Sequence, residues 1–375
     1  MVRSRALLIL LMLTACTASH DVDRGGFDFP PADDSGDREG GGGESPEALG
    51  SCQEQIDSQQ DGMPVQLSCA GLYSDIKSKK LAKNVELYAP AYKFWSDGAE
   101  KFRYILLPDG EKIDSSDPDA WKFPVGTKIF KEFRQNERRA ETRLYTKMRS
   151  DKWRWTTYVW SKDDKTAERE DNGMMMPLDG YNYEVPNVGT CNDCHDGASD
   201  NVLGFEMISL GLPDAEGLTL QRLVDEDLLS DPPEKTAFEI GDDGTGKARD
   251  VLGFLHINCG VTCHNDGVNA KAEKTDLRMK LKWSELDGSP TNDTEVLKNL
   301  INVEAQTTQW LGQKRIVPGK PDESLLYNLI TTRLGVDGNK QMPPLVTRVV
   351  DKEHADLVRD WILALKPAEG ATAPE

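Results

Sequence analysis

Cys191-Asn192-Asp193-Cys194-His195 constrains this chain more than any other stretch. Two thiols three residues apart, with an imidazole directly after the second, share a face only if the segment makes a helical turn. That spacing is the attachment signature of haem c, in which both sulfurs bond the vinyl groups of one porphyrin edge. His195 then reaches the iron as proximal ligand. A structural zinc ion would want four grouped N/S ligands, and a thioredoxin-like dithiol would want a βαβ frame; neither pattern surrounds the motif.

A second group, Cys259-Gly260-Val261-Thr262-Cys263-His264, carries one residue more between its cysteines. An i, i+4 pair still shares a helix face, so Cys259 and Cys263 are candidate attachment points and His264 a candidate proximal ligand. The competing reading is a Cys259–Cys263 disulfide in a module without haem. Downstream, Gln341-Met342-Pro343-Pro344 is similar to the Met-Pro-Pro loop of small monohaem cytochromes, which implies Met342 as the distal ligand. For the first haem the distal candidates are Met174, Met175, Met176, Met207 and His256, each of which also reads as an ordinary core or loop residue.

The N-terminus places this chemistry outside the cytoplasm. Arg3 and Arg5 precede a short apolar run, Ala6 to Leu13, too short to span a bilayer and typical of a secretory signal over residues 1–15. Leu13-Thr14-Ala15-Cys16 resembles the bacterial lipoprotein cleavage box, which implies lipid attachment at Cys16. Thr17 after it implies the outer membrane. Residues 16–50 are rich in Gly and Asp and read as a flexible tether. Cys52 and Cys69, in an oxidising compartment, are expected to form a disulfide.

Over 51–217 the chain reads as β. Runs such as Phe102–Leu107, Thr127–Phe130, Thr142–Met148 and Trp153–Trp160 alternate apolar with polar residues between turn signals, which predicts a sandwich-like region ending in the first motif. Trp153, Trp155 and Trp160 at strand spacing read as sheet residues, with a sugar-stacking platform as the alternative. Residues 218–247 read as a helix and linker. Residues 248–368 read as a mainly α-helical, cytochrome c-like domain, with a short tail over 369–375. Leu357, Val358, Trp361, Ile362 and Leu365 form the stripe of its last helix, with Asp351 as N-cap.

The chain has 375 residues, 64 Asp+Glu against 45 Lys+Arg, and a net charge of −19. That excess argues against duplex nucleic acid or an anionic lipid face as partner, so any membrane association falls to the lipid anchor. Gly241-Asp242-Asp243-Gly244-Thr245-Gly246-Lys247 mimics a phosphate loop, but its aspartates would repel phosphate and Ala248 replaces the Mg²⁺-binding hydroxyl, so no nucleotide is expected.

The strings Phe94-Trp95-Ser96-Asp97-Gly98-Ala99, Phe123-Pro124-Val125-Gly126-Thr127-Lys128, Lys131-Glu132-Phe133 and Glu141-Thr142-Arg143-Leu144 resemble a family of exported bacterial dihaem c-type cytochromes. The resemblance runs from about residue 70 to 365; the second cysteine spacer is longer than the family's. It implies one or two covalent haems and electron transfer between periplasmic or surface redox partners, with no catalytic residue assigned. An acidic carrier would favour a basic redox partner. Two other classes stand beside this reading: a dihaem peroxidase or oxidase with an open first haem, and a surface-binding module with vestigial motifs.

Overall fold

Alternation along residues 100–160 builds a single sheet whose two faces are both covered. The computed structural model describes residues 50–178, 181–286, 291–333, 340–345 and 347–366. The signal segment, Cys16, the tether up to residue 49 and the tail from residue 367 lie outside the described residues.

The chain enters through helix α1 (Cys52–Ser58), closed by a Ser51/Glu54 capping box. A disulfide joins Cys52 to Cys69, Cα to Cα 5.1 Å, and so ties α1 to the 3₁₀ turn Leu67–Cys69. A small ribbon, β1 (Tyr73–Asp75) with β2 (Lys80–Leu81), follows. Then comes the meander β3 (Val85–Ala89), β4 (Glu100–Leu106), β5 (Lys128–Gln135), β6 (Arg138–Arg149), β7 (Lys152–Trp160) and β8 (Ala167–Arg169). A hairpin, β9 (Met174–Leu178) with β10 (Tyr181–Val185), leads toward the first motif. The main sheet has seven antiparallel strands in the order β11-β3-β4-β5-β6-β7-β8, where β11 is Glu216–Gly217. Gly217 is forced by that pairing: a Cβ there would lie 2.2 Å from the Leu87 carbonyl oxygen.

Successive strand residues point to opposite faces. Tyr104, Phe130, Leu144, Tyr158 and Trp160 face one way, onto Met63, Leu67, Ala70 and Leu72 of the N-terminal segment. Ile105, Ile129, Tyr145 and Trp153 face the other, onto Phe205, Leu220, Leu252, Val358 and Trp361 from the rest of the chain. Trp153 and Trp160 are buried, which removes the exposed aromatic platform.

The remaining helices are α2 (Asn192–His195), α3 (Met207–Gly211), α4 (Leu220–Asp225), α5 (Ala248–Leu255), α6 (Glu295–Leu300), α7 (Leu325–Thr331) and α8 (Lys352–Ala364). Among the described residues only α5, with 8 residues, and α8, with 13, reach two turns. Asp351 caps α8, its carboxylate accepting from the His354 amide at 3.3 Å. No helix among the described residues is long and apolar enough to cross a membrane.

Two expectations are corrected here. The β-region is not a sandwich: sequential hairpins pair neighbouring strands into one sheet, and non-strand chain covers both faces. Nor is the C-terminal part a mainly α-helical cytochrome c domain. Its helices are short and separated by 3₁₀ turns, extended chain and bridges such as Ile301–Ile316 and Glu304–Lys314. Their apolar stripes pack on the sheet in one continuous core, so the helical periodicity reported burial rather than an independent bundle.

The Phe94–Ala99 string acts as a fastener. Trp95 donates its backbone N–H to Asn258 at 2.7 Å and its indole N–H to the Val349 carbonyl at 3.2 Å. The Asp97 carboxylate accepts from the Arg348 and Val349 amides at 2.9–3.0 Å. Chain between β3 and β4 therefore grips both the second motif's helix and the segment after Met342. The phosphate-loop mimic is closed upon itself: Asp242 accepts from the Gly244 and Gly246 amides, and Asp243 accepts from the Trp361 indole at 2.8 Å.

Candidate haem-attachment site

Local sequence winds the first motif into the required turn. Asn187 accepts from the Gly189 amide at 2.7 Å and starts a 3₁₀ turn, Val188–Cys191, that runs straight into α2. Cys191, Cys194 and His195 thereby fall on one face. Both thiols are free, Cys191 buried and Cys194 half-buried. Burial pushes both up, Cys194 to about 11. A redox dithiol needs the opposite shift, toward thiolate.

His195 is 6% exposed, and burial holds its pKa well below the usual range. Its ring lies 4.7 Å from that of Tyr145 and 5.7 Å from that of Trp155. The distance of 2.7 Å between Nδ1 and the Asn201 carbonyl oxygen assigns the proton to Nδ1 and directs the Nε2 lone pair away. A carbonyl on the far nitrogen is the usual support of a metal-bound histidine. Asn201 donates its side-chain amide to Asp196 at 3.1 Å, and it and its chain neighbour Asp200 both adopt positive φ, 58° and 46°. Asp200 accepts from the Phe123 amide at 2.7 Å, the Trp153 indole at 3.1 Å and the buried Lys147 ammonium. Sequence reasoning missed this carboxylate; the only signal was its place in a polar turn just after the motif.

The second motif solves its longer spacer by a change of helix type. At the end of α5 the chain passes into a π turn, His256–Gly260. The Val261 amide bonds the His256 carbonyl at 2.9 Å, and the His264 amide bonds that of Cys259 at 2.8 Å, both i→i+5. Such a turn takes in one residue more than an α turn, so Cys259 and Cys263 stand one turn apart. Both are free thiols, and burial raises Cys259 to about 12. His264 is buried and depressed to about 4 by that burial, and its Nδ1 is buried without a hydrogen-bond partner.

The two motifs, distant in sequence, are neighbours. Cys194 packs with Leu203, Ile257 and Val261, and Lys271 beyond the second motif pairs with Asp193 of the first at 2.7 Å. Gly197 is required there, since a Cβ would lie 2.5 Å from the Thr262 carbonyl oxygen. A cavity of about 290 Å³ opens between the loops that follow the motifs, lined by Asp196, Gly197 and Asn265, but by neither the thiols nor the imidazoles.

The distal candidates separate. Met342 packs with Ala305, Leu325 and Leu329, and it borders the main core as Cys259 does. His256 has both ring nitrogens engaged: Nδ1 accepts from the Leu281 amide at 3.0 Å, and Nε2 lies 3.2 Å from Glu206. Met207 is sealed in the main core, and Met176, on β9, is buried in a cluster with Phe133, Ala140 and Tyr183, while Met174 and Met175 are exposed. Among the described residues no three His, Cys, Asp or Glu side chains converge as they would around a bare metal ion. Each motif carries two free thiols with a buried imidazole directly after the second.

No family model, curated protein or solved structure matches the chain.

Proposed function

We propose that this chain is an exported, lipid-anchored c-type cytochrome that passes electrons between redox proteins of the cell envelope. One observation carries the reading: Cys191 and Cys194 are free on the face that also presents His195, whose Nδ1 is bound to a carbonyl so that Nε2 is left for iron. Haem attached there would supply one-electron chemistry. The protein's part is to hold the imidazole in one tautomer, to exclude water with Tyr145 and Trp155, and to keep the motif pressed on the sheet through Asp200. Cys259, Cys263 and His264 repeat the donor set, with Met342 as the proposed sixth ligand of that second centre. The Cys52–Cys69 disulfide supports an oxidising compartment, and Cys16 is the proposed lipid site at the outer membrane.

A second reading, a peroxidase or oxidase whose first haem keeps an open position, is favoured by His256 and Met207. The former has no free nitrogen, and the latter is committed to the core.

Expression of the full chain alongside haem-attachment machinery tests both readings. Pyridine haemochrome counts haem per chain, and Cys191→Ala/Cys194→Ala should lose one. The ferric spectrum then decides between them, low-spin for a carrier and high-spin with peroxide turnover for the enzyme.

A further inference from the structure

A row of directly opposed residues crosses the sheet beside the first motif: Tyr88 on β3, Arg103 on β4, Lys131 on β5 and Arg143 on β6. Like charges opposite one another repel, and buried cations are tolerated only with anions close by. Arg143 has its anion, Glu141, at 2.5 Å. The others have none. Arg103 is 3% exposed, and its Nε and Nη2 are buried without any acceptor. Lys131 is 8% exposed and, among the described residues, donates no hydrogen bond and joins no ion pair; its ammonium only overlies the rings of Phe94, at 5.7 Å, and Tyr145, at 5.5 Å. The Tyr88 hydroxyl is likewise buried without a partner. Three donors in one row thus wait for an acceptor, in a chain that is strongly acidic elsewhere.

The row abuts the attachment site. Tyr145 contacts both Lys131 and His195, and Phe94 lies under both cations while packing in the cluster that includes Cys194. Burial together with Arg103 and Arg143 depresses Lys131 to about 7, and the two motif cysteines act on it in the opposite direction. Haem brings two carboxylates of its own, on the porphyrin edge away from its vinyl groups.

We propose that Tyr88, Arg103 and Lys131 form the anchor for the carboxylates of the haem carried by Cys191 and Cys194. The proposal rests on the haem reading above, and its test separates the two. The full chain would be matured with haem as wild type, Lys131→Gln, Lys131→Arg and Arg103→Gln. Haem per chain is counted, the propionate bending modes are read by resonance Raman, and the midpoint potential by redox titration. Lys131→Gln and Arg103→Gln should each shift the propionate modes and lower the midpoint potential; Lys131→Arg should retain both. If Arg103→Gln does not fold, Lys131→Met, which puts a neutral chain of similar length into the same aromatic nest, gives the same reading. Haem-loaded variants with unmoved propionate modes would overturn the anchor and leave the cytochrome standing. A wild-type chain that takes no haem would end both.

Discussion

Two carboxylates decide much at the scale of single residues. Asp200 is the counter-ion of Lys147, whose side chain is 2% exposed, and it also holds the backbone that orients His195. Asp200→Asn tolerates the positive φ but leaves Lys147 uncompensated, so it should cost about 3 kcal/mol in chemical unfolding. Glu206 caps α3 through the Ile208 and Ser209 amides and faces His256. Burial pushes its carboxyl up, but His256 and the cap outweigh that and bring it from 4.5 to about 2. The folded value lies below the unfolded one, so this stabilisation is complete above pH 4.5 and disappears as pH falls toward 2. Denaturant titrations should lose about 3 kcal/mol across that window, and Glu206→Gln should flatten it. Neither carboxylate was legible beforehand. A polar residue in a turn carries no sequence mark of the partner it meets in the fold.

The strands were the legible elements. Phe102–Leu107 and Trp153–Trp160 fall on β4 and β7 nearly to the residue, because period-two alternation records a sheet buried face by face. Their assembly was not legible, since alternation is the same whether a face meets another sheet or helices and coil. Helix type was hidden for a related reason. The π turn at His256–Gly260 lies against chain whose approach no sequence pattern announces: a Cβ on Gly260 would lie 2.5 Å from the Lys280 amide nitrogen. The fastener belongs to this scale too. Asp97→Asn weakens the hold on the Arg348 and Val349 amides, costing about 1–2 kcal/mol. Hydrogen exchange should quicken at those two amides while β4 to β7 keep their protection.

For the whole molecule, the continuous core makes the C-terminal helix part of the sheet's stability. Trp361 is fully buried between them and is tied to Asp243. Trp361→Ala should cost about 3–5 kcal/mol and shift sheet and helix signals in one transition; separate transitions would mean separable domains. The net charge of −19 bears on partners rather than on the fold. Electron transfer to a basic redox protein should slow as ionic strength rises, and a rate indifferent to salt would rule out electrostatic steering. The proposed function stands on porphyrin bonded through sulfur beside His195. The intact mass of the mature full-length chain, made where attachment machinery is present, tests it most directly. One or two haem increments, with one lost in Cys191→Ala/Cys194→Ala, is the result predicted; a colourless product at the bare polypeptide mass would contradict it.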